Sequence, residues 1–168
     1  MKTFIKYLFI VLGVVLLDQI TKSILLYLIT GAVPVAGNAW GIVGYPYLMS
    51  HVFDWFNIVF TWNPGTSFSI LRTVGEGAPW IIIGATSVII AFLFYYMLYR
   101  AGKNERLALC FIIGGALGNL IDRIRFGAVI DFIDWHVGGW HWPAFNVADI
   151  FIVIGVCLYI INIVFRKK

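Results

Sequence analysis

From Gly77 to Tyr99 the chain carries no charged residue at all. A helix rises about 1.5 Å per residue and the hydrocarbon core of a bilayer is about 30 Å thick, so an apolar run of this length can cross a membrane. Three more stretches have the same character: Tyr7 to Ile29, interrupted by Asp18 and Gln19, then Leu107 to about Arg123, and Val147 to Phe165. The stretch from Leu107 to Arg123 spans only if its polar end reaches the interface. With 61% hydrophobic and 12% charged residues, the chain would present too much apolar surface to stay dissolved in water. Lipid is its expected solvent, and helices are expected at approximately 5–29, 78–99, 106–124 and 147–165.

The connections fix an orientation. Lys2, Lys6, the short link with Arg100, Lys103 and Arg106, and the closing Arg166, Lys167 and Lys168 all fall on one side, which the positive-inside rule makes cytoplasmic. Both termini are then inside, and the long connections 30–76 and 124–146 face outward. Their aromatics, among them Trp40, Tyr45, Tyr47, Trp55, Phe56, Trp62, Trp135, Trp140 and Trp142, suit a layer at the headgroups. The alternation from Phe56 to Trp62, and that from Val129 to Ile133, predict extended segments in that layer. The expected architecture is an all-α membrane protein: four transmembrane helices with a small outward-facing β-rich layer and loops, as one domain over 1–168.

Several classes fall away. The first apolar run continues past Asp18 without a small-residue cleavage site, so it reads as a retained span and not as a leader. The twelve Lys and Arg form no continuous basic face for nucleic acid. Cys110 and Cys157 sit singly in apolar stretches, without the spacing of a metal site.

Ionisable residues inside spans are costly and usually face a bundle interior or a wet cavity, so their depth is informative. Counted from Lys6, Asp18 lies roughly 18 Å and Lys22 roughly 24 Å toward the outside. Asn119 and Arg123 lie roughly 20 and 26 Å up from Arg106, and Asp149 roughly 26 Å up from Arg166. Three helices thus place polar groups in one outer layer. Asp18 and Lys22 share a helix face, as do Asn119 and Arg123, being four apart. A structural ion pair is the plain reading of Asp18 with Lys22. Asp122, beside Arg123 on another azimuth, reads as a local partner or an interfacial charge. Asp149 stands in a first helical turn, where the helix dipole favours a negative charge.

Five blocks stand out in order: Asp18-Gln19-Ile20-Thr21-Lys22, Asn63-Pro64-Gly65-Thr66-Ser67-Phe68, Gly118-Asn119-Leu120-Ile121-Asp122-Arg123, Val129-Ile130-Asp131-Phe132, and Phe145-Asn146-Val147-Ala148-Asp149. Together, on four spans, they resemble the lipoprotein signal peptidases, the bacterial signal peptidase II family, over essentially the whole chain. The resemblance implies an aspartic endopeptidase of the bacterial inner membrane that needs no metal or organic cofactor and is expected to act as a monomer. Its substrate would be a diacylglyceryl-modified prolipoprotein, cut just before the lipidated cysteine. It implies Asp131 and Asp149 as the catalytic pair, supported by Asp18, Lys22, Asn63, Gly65, Asn119, Arg123, Asn146 and Ala148. It further implies that Asn119, Arg123 and Asn146 line the site for substrate backbone and for globomycin-type cyclic peptides. Thr66 and Ser67 replace the alanines usual in the family, and the connection from Gly31 to Val52 is long for it.

Two carboxylates hydrolyse a peptide bond by sharing a site in which one is ionised and one neutral. The first takes a proton from the attacking water and the second hydrogen-bonds the developing oxyanion. Rival chemistries are weaker. His136, His141 and Asp134 lack an HExxH frame for zinc, and Ser67 has no GxSxG element for a serine nucleophile. In a small proton-coupled transporter or membrane binding protein, Asp18, Asp131 and Asp149 would relay protons; such a carrier needs polarity toward both faces, and here it gathers near one.

Overall fold

The computed structural model describes residues 2–30, 49–65 and 78–165. Trp40, Tyr45 and Tyr47, the Thr66-Ser67-Phe68 end of the second block and the closing Arg166-Lys167-Lys168 lie outside the described residues. In chain order the elements are α1 (Lys2–Thr30), β1 (Met49–Phe53), β2 (Phe56–Asn63), α2 (Ala78–Tyr99), α3 (Lys103–Phe126), β3 (Val129–Val137), β4 (Trp140–His141) and α4 (Val147–Val164). Each of the four helices among the described residues contains a stretch long and apolar enough to cross a membrane. The residues group into two compact units, one of Met1–Ile20, Gly84–Leu120 and Val147–Lys168, the other of Thr21–Ile83 and Ile121–Asn146.

The first unit is helical and is packed through glycine. Lipid offers no hydrophobic drive between helices, so close backbone approach at small residues takes its place. A Cβ on Gly114 of α3 would stand 2.7 Å from Val14 Cβ on α1. One on Gly115 would collide with the backbone carbonyl of Ala148 on α4, and one on Gly155 of α4 would lie 2.7 Å from the carbonyl of Ala108 on α3. At the start of α3, Gly102 N–H donates to Glu105 Oε2 at 2.9 Å, a capping arrangement that satisfies a donor the helix leaves open. Outward positions carry large apolar side chains, Phe9 at 69% exposure and Val88 at 70%, as lipid contact requires.

The second unit is built on a four-stranded antiparallel sheet in the order β1-β2-β3-β4. Helix α3 stops at Gly127, whose φ of 77° suits only glycine and whose N–H donates to Arg123 O at 2.9 Å. Two residues, Gly138 and Gly139, then close the β3–β4 hairpin, with Gly138 at φ 58°. Leu25 and Leu26 of α1, Phe60 of β2, Phe126 of α3, Ala128 and Ile130 form this unit's apolar core, flanked by Ile58, Trp62 and Phe132. Trp62 meets Phe60 edge-on at 5.3 Å. Beyond β4 the chain returns along β3: Ile133 N–H donates to Phe145 O at 2.8 Å and Phe145 N–H to Ile133 O at 3.1 Å.

Candidate functional site

The return of the chain at Phe145 sets the next residue, Asn146, beside Asp131. Asn146 Nδ2 donates to Asp131 Oδ1 at 2.7 Å and to Ile130 O at 3.3 Å. The other carboxylate oxygen, Oδ2, accepts from Asn63 Nδ2 at 2.9 Å. Asn63 ends β2, two residues beyond Thr61, the cross-strand partner of Asp131, and a register shift between Ile58 and Thr61 precedes them. Both oxygens of Asp131 thus take carboxamide N–H bonds, and the residue is 1% exposed.

Asn63 has a second task. Its Oδ1 accepts from Gly65 N at 2.9 Å, an Asx turn through Pro64. Gly65 sits at φ 73°, and a Cβ there would lie 2.9 Å from Ile82 Cδ1 and 3.6 Å from Arg123 Nη2, so the turn also runs past the Arg123 guanidinium. In the same unit, Lys22 Nζ meets Asp122 Oδ2 at 2.8 Å, both side chains almost wholly buried. Asp122 is therefore no interfacial charge. The same oxygen accepts from Ile130 N at 3.2 Å. Asp131, Asn63, Gly65, Asn146, Arg123 and Lys22, predicted from sequence, belong to this second unit.

Asp18, Ala148, Asn119 and Asp149 belong to the first. Asp18 is fully buried; its Oδ1 accepts from Ala148 N at 2.9 Å, satisfying one of the open N–H groups at the start of α4. Its Oδ2 accepts from Gln19 Nε2, which also reaches Gly118 O, each at 3.2 Å. A Cβ on Gly118 would stand 2.5 Å from Asp18 Oδ2, so this glycine makes the room in which the carboxylate sits. The approach of Gly115 to Ala148 places Asn119, one turn further along α3, beside Asp149 in the first turn of α4. Asn119 Nδ2 donates to Asp149 Oδ1 at 2.8 Å.

Two participants, Gln19 and Gly118, carry no role in the sequence reading, and Asp122 carries only that of a local partner or an interfacial charge. Gln19, Gly118 and Asp122 all lie inside the quoted blocks, and only the packing distinguishes them from spacers. A further polar cluster lies along β3 and its neighbours. Asp134, 2% exposed, accepts from Asn57 Nδ2 at 2.8 Å and pairs with His141 Nδ1 at 2.9 Å; His136 stacks on His141 with ring centroids 4.9 Å apart. Burial pushes the Asp134 carboxyl up, but the bonds from Asn57 and His141 and the charges of His141 and His136 outweigh it, leaving it below its ordinary value.

Comparison with known proteins adds independent findings. A family profile described as "Signal peptidase (SPase) II" matches residues 10–165. The chain is 46% identical over 109 residues to a "Lipoprotein signal peptidase" of Anaplasma phagocytophilum (strain HZ), covering 65% of this chain and 69% of that one. It is 41% identical over 153 residues to the protein of that name from Burkholderia thailandensis, covering 88% and 80%. Among solved structures, a bacterial membrane enzyme determined by the in meso method at 1.9 Å superposes with a TM-score of 0.74 at 30% identity, over 96% of this chain and 94% of that one.

Proposed function

The chain belongs to the signal peptidase II family, and from that premise we propose that it removes the signal peptide from diacylglyceryl-modified prolipoproteins as an aspartic endopeptidase. The observation that supports this most is the treatment of two acids. Asp131 is held by the carboxamides of Asn63 and Asn146, and Asp149 by that of Asn119. Carboxylates oriented in this way are prepared for work on a substrate instead of serving only as ion-pair partners.

In this mechanism Asp131 and Asp149 act on one water as a pair sharing a proton. The ionised member takes a proton from the water as its oxygen attacks the scissile carbonyl, and the neutral member donates to the developing oxyanion. Collapse of the tetrahedral intermediate breaks the C–N bond, the amine leaving with a proton from the pair. Neither metal nor organic cofactor enters. The Gly65 turn presents backbone to the substrate, and Arg123, Asn119 and Asn146 hold its carbonyls or those of a globomycin-type peptide. Asp18 and Ala148 fix the start of α4, and Lys22 braces the end of α3. The enzyme works as one monomeric peptidase domain of the inner membrane, with both termini cytoplasmic and the site at the outer face.

The test is purified protein in lipid mixed with a diacylated lipobox peptide, with and without globomycin, followed by mass spectrometry of the products. One cut immediately before the modified cysteine, suppressed by globomycin, is expected. Failure to cut there, with folded protein, would refute the proposal.

A further inference from the structure

We infer that Asp122 is a positioning residue for Asp131: a single buried carboxylate oxygen, shared between Lys22 Nζ and the N–H of Ile130, fixes the strand from which Asp131 projects. This role rests on the reading of Asp131 as one of the catalytic pair.

Ile130, directly before Asp131, is held from three sides. Its N–H donates to Asp122 Oδ2 at 3.2 Å, its C=O accepts from Asn146 Nδ2 at 3.3 Å, and its side chain is buried among Leu25, Leu26, Phe60, Phe126 and Ala128. Asp122 is 1% exposed and Lys22 2%, so water cannot substitute for the oxygen they share. Asp122 also lies one turn before Phe126, on the same face of α3, and so couples the end of that helix to the start of β3. Loss of the oxygen frees the Ile130 amide and lets the Asp131 carboxylate drift. Displacements of about 1 Å at a catalytic group cost up to about a hundredfold in rate.

Asparagine separates this role from charge pairing, because its carboxamide oxygen can occupy the place of Oδ2 and accept from Ile130. Wild type, Asp122→Asn, Asp122→Ala and Asp131→Asn are compared in nanodiscs. The readouts are kcat and KM on a diacylated lipobox peptide and hydrogen exchange over residues 129–133. Asp122→Ala should lose kcat by about tenfold or more with little change in KM, and exchange over 129–133 should quicken. Asp122→Asn should stay within about fivefold of wild type with the exchange protected. An alanine variant at the wild-type rate, a folded asparagine variant as slow as Asp122→Ala or Asp131→Asn, or a kcat loss without quickened exchange would overturn the inference. If Asp122→Ala does not fold, the asparagine variant decides alone. An active Asp131→Asn would show instead that the catalytic reading itself is wrong.

Discussion

Asp134 illustrates how a buried acid stays charged. Burial by itself favours the neutral carboxyl, yet Asn57, His141 and the nearby His136 overcome it and hold the group below its usual value. A carboxyl whose folded value is lowered contributes stability that is complete above the unfolded value of about 3.9 and is lost as pH falls through the folded value. Asp134→Asn should therefore lower stability at neutral pH by about 1–2 kcal/mol, and the gap to wild type should narrow as the pH falls below the unfolded value and through the lowered folded one. Thermal unfolding across a pH series measures this; a gap independent of pH would contradict it. At the same scale, Asp131 and Asp149 were legible as acids in meaningful blocks, whereas the partner of Asp122 was not. Lys22 is one hundred positions away, and nothing in the spacing of the two blocks points to it.

Helix α3 brings its neighbours close at Gly114, Gly115 and Gly118, and the last of these makes room for Asp18. Gly118→Ala would press a methyl into Asp18 and displace it from the Ala148 N–H, with an expected loss of about 1–3 kcal/mol of stability and a fall in activity. Gly13→Ala on α1 meets nothing within 4 Å and should be neutral or stabilise by up to about 1 kcal/mol. Unfolding in detergent of the two variants side by side separates local crowding from a general intolerance of substitution. The spans themselves were plain in the sequence, because apolar length is the dominant signal for lipid solvation. The ends of α3 were not. Its helix runs from Lys103 to Phe126, beyond the expected 106–124, since Glu105 caps the polar entry and Gly127 the exit. The β2 and β3 strands were visible as alternation; β4 is only two residues and left no period to detect.

Across the molecule, charge and exposure are reversed from those of a water-soluble protein. Phe9, Val88 and Phe165 stand open, while Asp18, Lys22, Asp122 and Asp131 are buried. On the proposed function the substrate shares this bilayer, and each buried methylene of its acyl anchor contributes about 0.8 kcal/mol to holding it there. An unlipidated peptide of the same sequence should accordingly be cut far more slowly than its diacylated form at equal bulk concentration; equal turnover would remove the membrane anchor from the mechanism. The proposed pairing of Asp131 with Asp149 is met most directly by the cleavage of a diacylated prolipoprotein by Asp131→Asn and by Asp149→Asn, each purified and shown to be folded. Neither should yield product above background, a loss on the order of a thousandfold or more. Near-native cleavage by either one would contradict the assignment of the two aspartates.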